Sequence, residues 1–254
     1  MLKEKKMLLH PTLEKLTTLR FTGMAAALDE QMQMNSLVDL DFEERLGILL
    51  DREMAVRQTR RMNTRLRKAR LRQDGCIEDI DFRHPRGLDK SLVMRLAGCE
   101  WVKEHNNLII TGPTGVGKTY LACAFAQKAC REGYSTHSTL YLRMTKLFED
   151  LALAKGDGRY LKLLASFAKA DLLVLDDYGL EQLGRDQRHD LLEILEDRHG
   201  LKSTLVTSQL PIDHWHEQIG DPTLADAILD RLVHSAHKIK LNGDSMRKKN
   251  ANLT

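Results

Sequence analysis

NNLIITGPTGVGKT, residues 106–119, decides the fold. Its first half is a short, unbroken apolar run, as a strand buried on both faces requires. Its second half, Gly112 to Thr119, matches G-x-x-x-x-G-K-[ST] at every fixed position. Such a loop wraps backbone N–H groups around phosphate oxygens. Gly112, Gly115 and Gly117 stand where a Cβ would obstruct or φ would be positive. YLACAFAQKACRE then continues as a helix whose positive N-terminal end faces the same phosphates. Lys118 is placed to reach the β- and γ-phosphates, and Thr119 to offer its hydroxyl to Mg²⁺. The expected nucleotide cradle is therefore Gly112, Pro113, Thr114, Gly115, Val116, Gly117, Lys118, Thr119 and Tyr120. A bare glycine turn would need a lysine and a hydroxyl at those places by accident.

Farther along, DLLVLDD at 171–177 is a second buried strand that ends in two acids. A carboxylate at the carboxyl end of such a strand, beside the phosphate loop, suits Mg²⁺ held through its water shell, which assigns Asp176. Asp177 points toward the γ-phosphate and can orient and deprotonate an attacking water. The competing reading is an N-cap of the helix that follows, and the two roles can coexist.

Three more short β-rich runs, STLYLR at 138–143, STLVTS at 203–208 and HKIKL at 237–241, alternate with helical stretches. Five strands so separated predict an α/β fold, a parallel sheet with helices on both faces. Before it, Thr12 to Arg72 has helical periodicity with breaks near Gly23 and around 35–41, which predicts three helices. Asp39 and Asp41 supply acids for the start of the third. The expected organisation is a helical domain over 1–75, a Gly/Pro-containing linker over 76–89 and a nucleotide domain over 90–254.

The end of the helical part, RQTRRMNTRLRKARLR at 57–72, holds seven arginines, one lysine and no acid in sixteen residues. The whole chain carries a formal charge of only +3, so the remainder sums to about −5. On a helix, Arg57, Arg60, Arg61, Arg65, Lys68 and Arg72 gather in one stripe, with Met62, Leu66 and Ala69 on another face. Without interleaved aromatics or a groove-reading motif, the partner this stripe fits is a DNA backbone, bound largely without regard to sequence. A solvated helix face or an acidic protein partner is the competing reading.

With 42% apolar and 30% charged residues the chain is expected to fold in water. No apolar run reaches the roughly eighteen residues of a membrane span, and the lysine-rich start lacks a signal-peptide core, so a cytoplasmic protein without a membrane partner is expected. Cys76, Cys99, Cys123 and Cys130 form no C-x-x-C pair, which argues against a zinc site or a disulfide frame. His214, His216, His234 and His237 lack companion ligands.

GPTGVGKT, LLVLDD, VTSQLP and ILDRL in this order resemble AAA+ ATPases. PRGLDKSLV, DLLVLDDYGLEQL and TSQLPIDHWHEQIGDPTLADAILDRL narrow the likeness to IstB-type transposition helper ATPases, with DnaC-type helicase loaders as relatives. The resemblance implies a sheet in the order 5-1-4-3-2, nucleotide at its carboxyl edge and ATP shared between neighbouring subunits of a homo-oligomer. By the same likeness Gln209 contacts the γ-phosphate or its water, and Arg231 extends into the next subunit's site. Arg231 could instead pair with Asp226 or Asp230 on its own helix. Most AAA+ proteins have Glu where this chain has Asp177, and the shorter acid implies slow hydrolysis. Only about thirteen residues follow the fifth strand, so no C-terminal helical lid is expected, and Arg247 is either a γ-phosphate sensor or part of a basic tail.

The function so implied is that of an Mg²⁺-dependent ATPase, stimulated by DNA, that binds duplex DNA and assists a cognate transposase in selecting its target. A helicase loader is the alternative. A small-molecule P-loop kinase would need an acceptor pocket and a lid that the sequence does not offer.

Overall fold

In the computed structural model, residues 11–33, 40–132 and 138–246 are described. Asp39 and Arg247 lie outside them. The chain divides into two compact units, Met1–Thr64 and Arg65–Thr254.

The first unit is helical. It contains α1 (Pro11–Thr18), α2 (Thr22–Gln33) and most of α3 (Phe42–Ala69). Asp41 opens α3 with a reciprocal cap: its carboxylate accepts the Glu44 N–H at 2.8 Å, and the Glu44 carboxylate accepts the Asp41 N–H at 3.1 Å. Gly23, expected near a break, lies in the first turn of α2. The reason is close packing, since a Cβ there would lie 2.7 Å from the Glu53 Cα.

The second unit runs α4 (Lys90–Leu96), α5 (Glu100–Lys103), β1 (Asn107–Thr111), α6 (Lys118–Glu132), β2 (Thr139–Arg143), α7 (Met144–Gly156), α8 (Tyr160–Lys169), β3 (Leu172–Tyr178), α9 (Arg185–Glu196), β4 (Ser203–Ser208), α10 (Trp215–Ile219), α11 (Pro222–Val233) and β5 (Ala236–Lys240). The strands pair in parallel in the order β2-β3-β4-β1-β5, which is the expected order. The period of two divides each strand between two cores. Leu108 and Ile110 face one core with Val174, Leu205 and the α6 residues Leu121 and Phe125. Ile109 faces the other with Leu173, Leu175, Val206 and the apolar faces of α7 to α11. Two covered faces explain why the central strands β1 and β3 carry no polar alternation, whereas the edge strand β5, AHKIK, does.

At the lower end of this sheet the fully buried Arg198 takes the place of a hydrophobic plug. Its guanidinium donates to the carbonyls of Phe167, Ala170 and Ser203 and to Thr204 Oγ1. Burial pushes its pKa down to about 10, so it stays charged at neutral pH.

Residues 76–89 have a different part from the expected linker. Ile77 and Ile80 are buried in the same core as α6, and Arg86 is buried beside the phosphate loop. Gly75 packs so closely on α6 that a Cβ would lie 2.8 Å from the Tyr120 carbonyl. Arg131 of α6 pairs with Glu78 at 2.8 Å. This segment belongs to the body of the second unit because its apolar side chains fill the space beside α6. Among the described residues, no helix is long and apolar enough to cross a membrane.

Candidate nucleotide-binding site

The phosphate loop leaves the carboxyl end of β1 and enters α6. Gly112, at φ +150°, passes so near the chain after β5 that a Cβ would be 2.5 Å from the Leu241 carbonyl oxygen. At Gly117, φ is +97° and a Cβ would be 2.5 Å from Arg86 Nη1. Both positions therefore need glycine. Arg86 braces the loop from outside: Nη1 donates to the Val116 carbonyl at 2.9 Å and Nη2 to the Asp81 carbonyl at 3.1 Å. Its burial lowers its pKa. The Met246 N–H donates to the Gly115 carbonyl at 2.9 Å, which fixes the loop from the side of residues 241–246.

Lys118 is buried, with Nζ donating to the carbonyls of Gly112 at 2.7 Å and Pro113 at 2.8 Å. The ammonium is thus held inside the curl of the loop. Thr119 Oγ1 lies 3.1 Å from both carboxylate oxygens of Asp176. A hydroxyl from the first turn of α6 and a carboxylate from β3, brought together, form a hard-oxygen pair. This pair fits Mg²⁺, which is held by one or two protein oxygens with phosphates and waters completing its shell. Among the described residues, no cluster of three or more His, Cys, Asp or Glu could form a cage made of protein alone.

Asp176 is fully buried and accepts hydrogen bonds from several sides. Thr207 Oγ1 donates to Oδ1 at 2.5 Å, and Tyr141 Oη to Oδ2 at 2.5 Å. Burial first, then this bond to a carboxylate, pushes the Tyr141 phenol well above its ordinary pKa, so it remains a donor. Asp177 is in the left-handed region at φ +63°, where β3 shifts register against β4 between Leu175 and Tyr178. The bulge turns the second acid away from the pleat, toward the cleft. The N-cap alternative for Asp177 does not hold, because α9 starts only at Arg185 and is capped by Gly184.

A cleft of about 370 Å³ opens over these groups, lined by Thr114, Lys118, Thr119, Asp177 and Gln209, and on its far wall by Gln73 and Asp81. Gln209 Oε1 accepts from Thr114 Oγ1 at 2.5 Å. The structure therefore gathers the phosphate loop, Asp176, Asp177 and Gln209 at the carboxyl edge of the sheet.

Arg231 is at the opposite edge, where Asn107 at the start of β1 donates to its carbonyl at 2.8 Å. Its guanidinium pairs chiefly with Glu196 of α9 at 2.5 Å and lies 3.8 Å from Asp230, while Asp226 faces His216. The Glu196 bond raises its pKa further. The basic-stripe residues have separate surroundings. Arg57 and Arg60 take part in packing within the first unit, Arg65 Nε donates to the Cys130 carbonyl at 2.8 Å, and Arg61 and Lys68 are solvent-exposed. Arg72 lies beyond the end of α3, 3.4 Å from both Asp176 and Asp177. The four cysteines are free thiols.

Residues 14–254 match the family of IstB-like ATP binding proteins. The chain belongs to this family. Its relatives include y4pL of Sinorhizobium fredii, named as an insertion sequence ATP-binding protein, 54% identical over 95% of this chain and 98% of its own. The ATP-binding protein of insertion sequence IS21 of Pseudomonas aeruginosa is 32% identical over 92% of this chain and 87% of its own. Among solved structures, DnaI superposes with a TM-score of 0.54 and 24% identity over 66% of this chain and 91% of that one. The DnaC helicase loader gives 0.54 and 20% over 66% and 97%. These two likenesses show that the IstB-like protein shares its fold with both structures.

Sequence reasoning missed Thr207, Tyr141 and Arg86 in the site and did not place Arg72 there. A signal for Thr207 was present: it is a hydroxyl at the carboxyl end of an otherwise apolar strand.

Proposed function

We propose that this IstB-like protein is an ATPase that binds duplex DNA and assists a transposase in selecting its target, working in the cytoplasm as an ATP-linked homo-oligomer. The observation that carries this reading is the Thr119 hydroxyl resting on Asp176 beside the Lys118 loop, in a chain of a family named for ATP binding and for insertion sequences.

In this reading the amides of residues 112–119 hold the phosphates, and Lys118 turns from the loop carbonyls to the β- and γ-phosphates. Thr119 and Asp176 would hold Mg²⁺, which would supply positive charge to offset that of the phosphates. Asp177 orients and deprotonates the attacking water, and Gln209 steadies the γ-phosphate or that water. Arg231, at the other edge of the sheet, is suited to reach a neighbour's site, where an arginine supplied in trans accelerates phosphoryl transfer by roughly 10³- to 10⁵-fold. The short Asp177 carboxylate keeps turnover slow, so ATP serves mainly to join subunits. Joined subunits line up their basic helices, and DNA affinity rises by avidity.

The test is anisotropy of a labelled random-sequence duplex, with sedimentation, in a nonhydrolysable ATP analogue and in ADP. Tight, oligomeric binding with the analogue alone is expected; a monomer on duplex with saturating analogue would refute it. The fold likeness to DnaC favours a helicase loader as the second reading. Capture assays with transposase and with replicative helicase separate the two.

A further inference from the structure

Arg72 was expected on the basic stripe, but the chain takes it elsewhere. Helix α3 ends at Ala69, Arg70 turns the backbone at φ +53°, and Arg72 Nη1 comes to lie 3.4 Å from Asp176 Oδ2 and 3.4 Å from Asp177 Oδ2. One guanidinium nitrogen is thus shared between two adjacent acids, at the place a metal ion would approach. Thr119, Thr207 and Tyr141, which also donate to Asp176, are neutral hydroxyls. They satisfy lone pairs and leave the charge. Two neighbouring carboxylates, one fully buried, repel each other and any incoming triphosphate unless a cation stands between them.

The geometry points to Arg72 as the resident counter-ion of the Asp176/Asp177 pair, which holds the acids until Mg²⁺ enters with nucleotide and then gives way. This inference rests on the reading of the cleft as a Mg²⁺–nucleotide site. Three features fit a replaceable partner. Both ion pairs are long at 3.4 Å, so neither is a tight bidentate pair. The Arg72 side chain is 41% exposed, which gives it an open path to solvent. Its backbone belongs to an irregular stretch after α3, so withdrawal breaks no helix. A guanidinium and a divalent ion cannot share the same face of Asp176 without strong repulsion, so metal binding must include the cost of releasing Arg72.

The experiment measures binding of a fluorescent ATP analogue to the full-length protein, wild type, R72Q and R72K, in EDTA and across a Mg²⁺ titration, with thermal midpoints to verify folding. For R72Q the prediction has opposite signs in the two conditions. Affinity in EDTA falls several-fold, because the acids now face the phosphates unscreened, while the Mg²⁺ needed for half-maximal binding drops by about twofold to fivefold, the order expected of a partly exposed ion pair. R72K, which keeps the charge, stays within about twofold of wild type. A Mg²⁺ requirement that is unchanged in R72Q overturns the proposal. One that rises overturns it too, by putting Arg72 on the phosphate instead of the carboxylates. Absence of nucleotide binding in all three proteins refutes the site reading itself, and the inference falls with it.

Discussion

Thr207 Oγ1 donates to Asp176 Oδ1 at 2.5 Å and itself accepts the Asp177 backbone N–H at 3.1 Å. One side chain of β4 therefore fixes both acids of β3: it aims the buried carboxylate and anchors the bulge that sets the direction of its neighbour. No other residue type of this size supplies both a donor and an acceptor on a β-branched frame suited to a strand.

Thr207→Val keeps the shape and removes both bonds. It is expected to reduce Mg²⁺-dependent nucleotide binding or hydrolysis by about 10- to 100-fold, as removal of supporting groups around a metal site does. Thr207→Ser should retain most activity. Isothermal titration with and without Mg²⁺ checks this; equal behaviour of the Val and Ser variants would remove Thr207 from the site's machinery and leave it a packing residue.

Asp177 offers a cleaner test of the chemical step than its substitution by glutamate. Its φ of +63° is a conformation that Asp and Asn tolerate and longer side chains resist. Asp177→Asn thus preserves the backbone while removing the base. The expectation is that nucleotide binding persists and hydrolysis falls by about 10²- to 10⁴-fold, measured as single-turnover phosphate release. A variant that hydrolyses at the wild-type rate would exclude Asp177 as the group that activates water.

Much of this site is legible in the sequence because the signals are local. The phosphate loop is a contiguous run whose residue types are dictated by phosphate geometry, and the acid pair ends a strand too apolar to be anything but central. Gln209 and the five-strand order came through the family likeness instead. What was not legible depends on tertiary placement. Tyr141 meets Asp176 across a strand pair, and nothing in STLYLR distinguishes its hydroxyl from that of any half-buried tyrosine. Arg72 looks like one more basic-stripe residue until the left-handed turn at Arg70 takes it off the helix. Residues 76–89 read as a linker because Ile77 and Ile80 stand isolated among acids, with a glycine and a proline, and only the space beside α6 makes them core.

The basic stripe should divide under mutation. Arg57 Nε donates to Glu53 at 2.6 Å with its guanidinium 5.1 Å from the Phe21 ring centroid, and Arg60 donates to Thr22 at 3.2 Å. Arg61 and Lys68 are exposed. Arg61→Gln and Lys68→Gln are therefore expected to weaken DNA binding alike at all sequences. Each should make the slope of log affinity against log salt shallower by about 0.9 for the one DNA phosphate it no longer neutralises, with unchanged urea midpoints. Arg57→Gln should lower the stability of the helical unit as well. Anisotropy across a salt series decides it; a sequence-selective loss would contradict backbone binding.

Glu53 makes the helical unit sensitive to acid. Its carboxylate accepts the Gly23 N–H at 2.7 Å and the Met24 N–H at 3.2 Å, so a side chain of α3 caps the start of α2. The Arg57 hydrogen bond, followed by these two amides, outweighs burial and holds its pKa below the ordinary glutamate value. A carboxyl group so lowered contributes stability that is complete above its unfolded pKa of about 4.3 and is lost as pH falls through the folded value. Hydrogen-exchange protection at Gly23 and Met24 should thus hold at neutral pH and decline below about pH 4.3. In Glu53→Gln, protection should be lower at neutral pH and nearly flat across the acid range. If the variant kept the wild-type decline, some other acid would have to govern the loss.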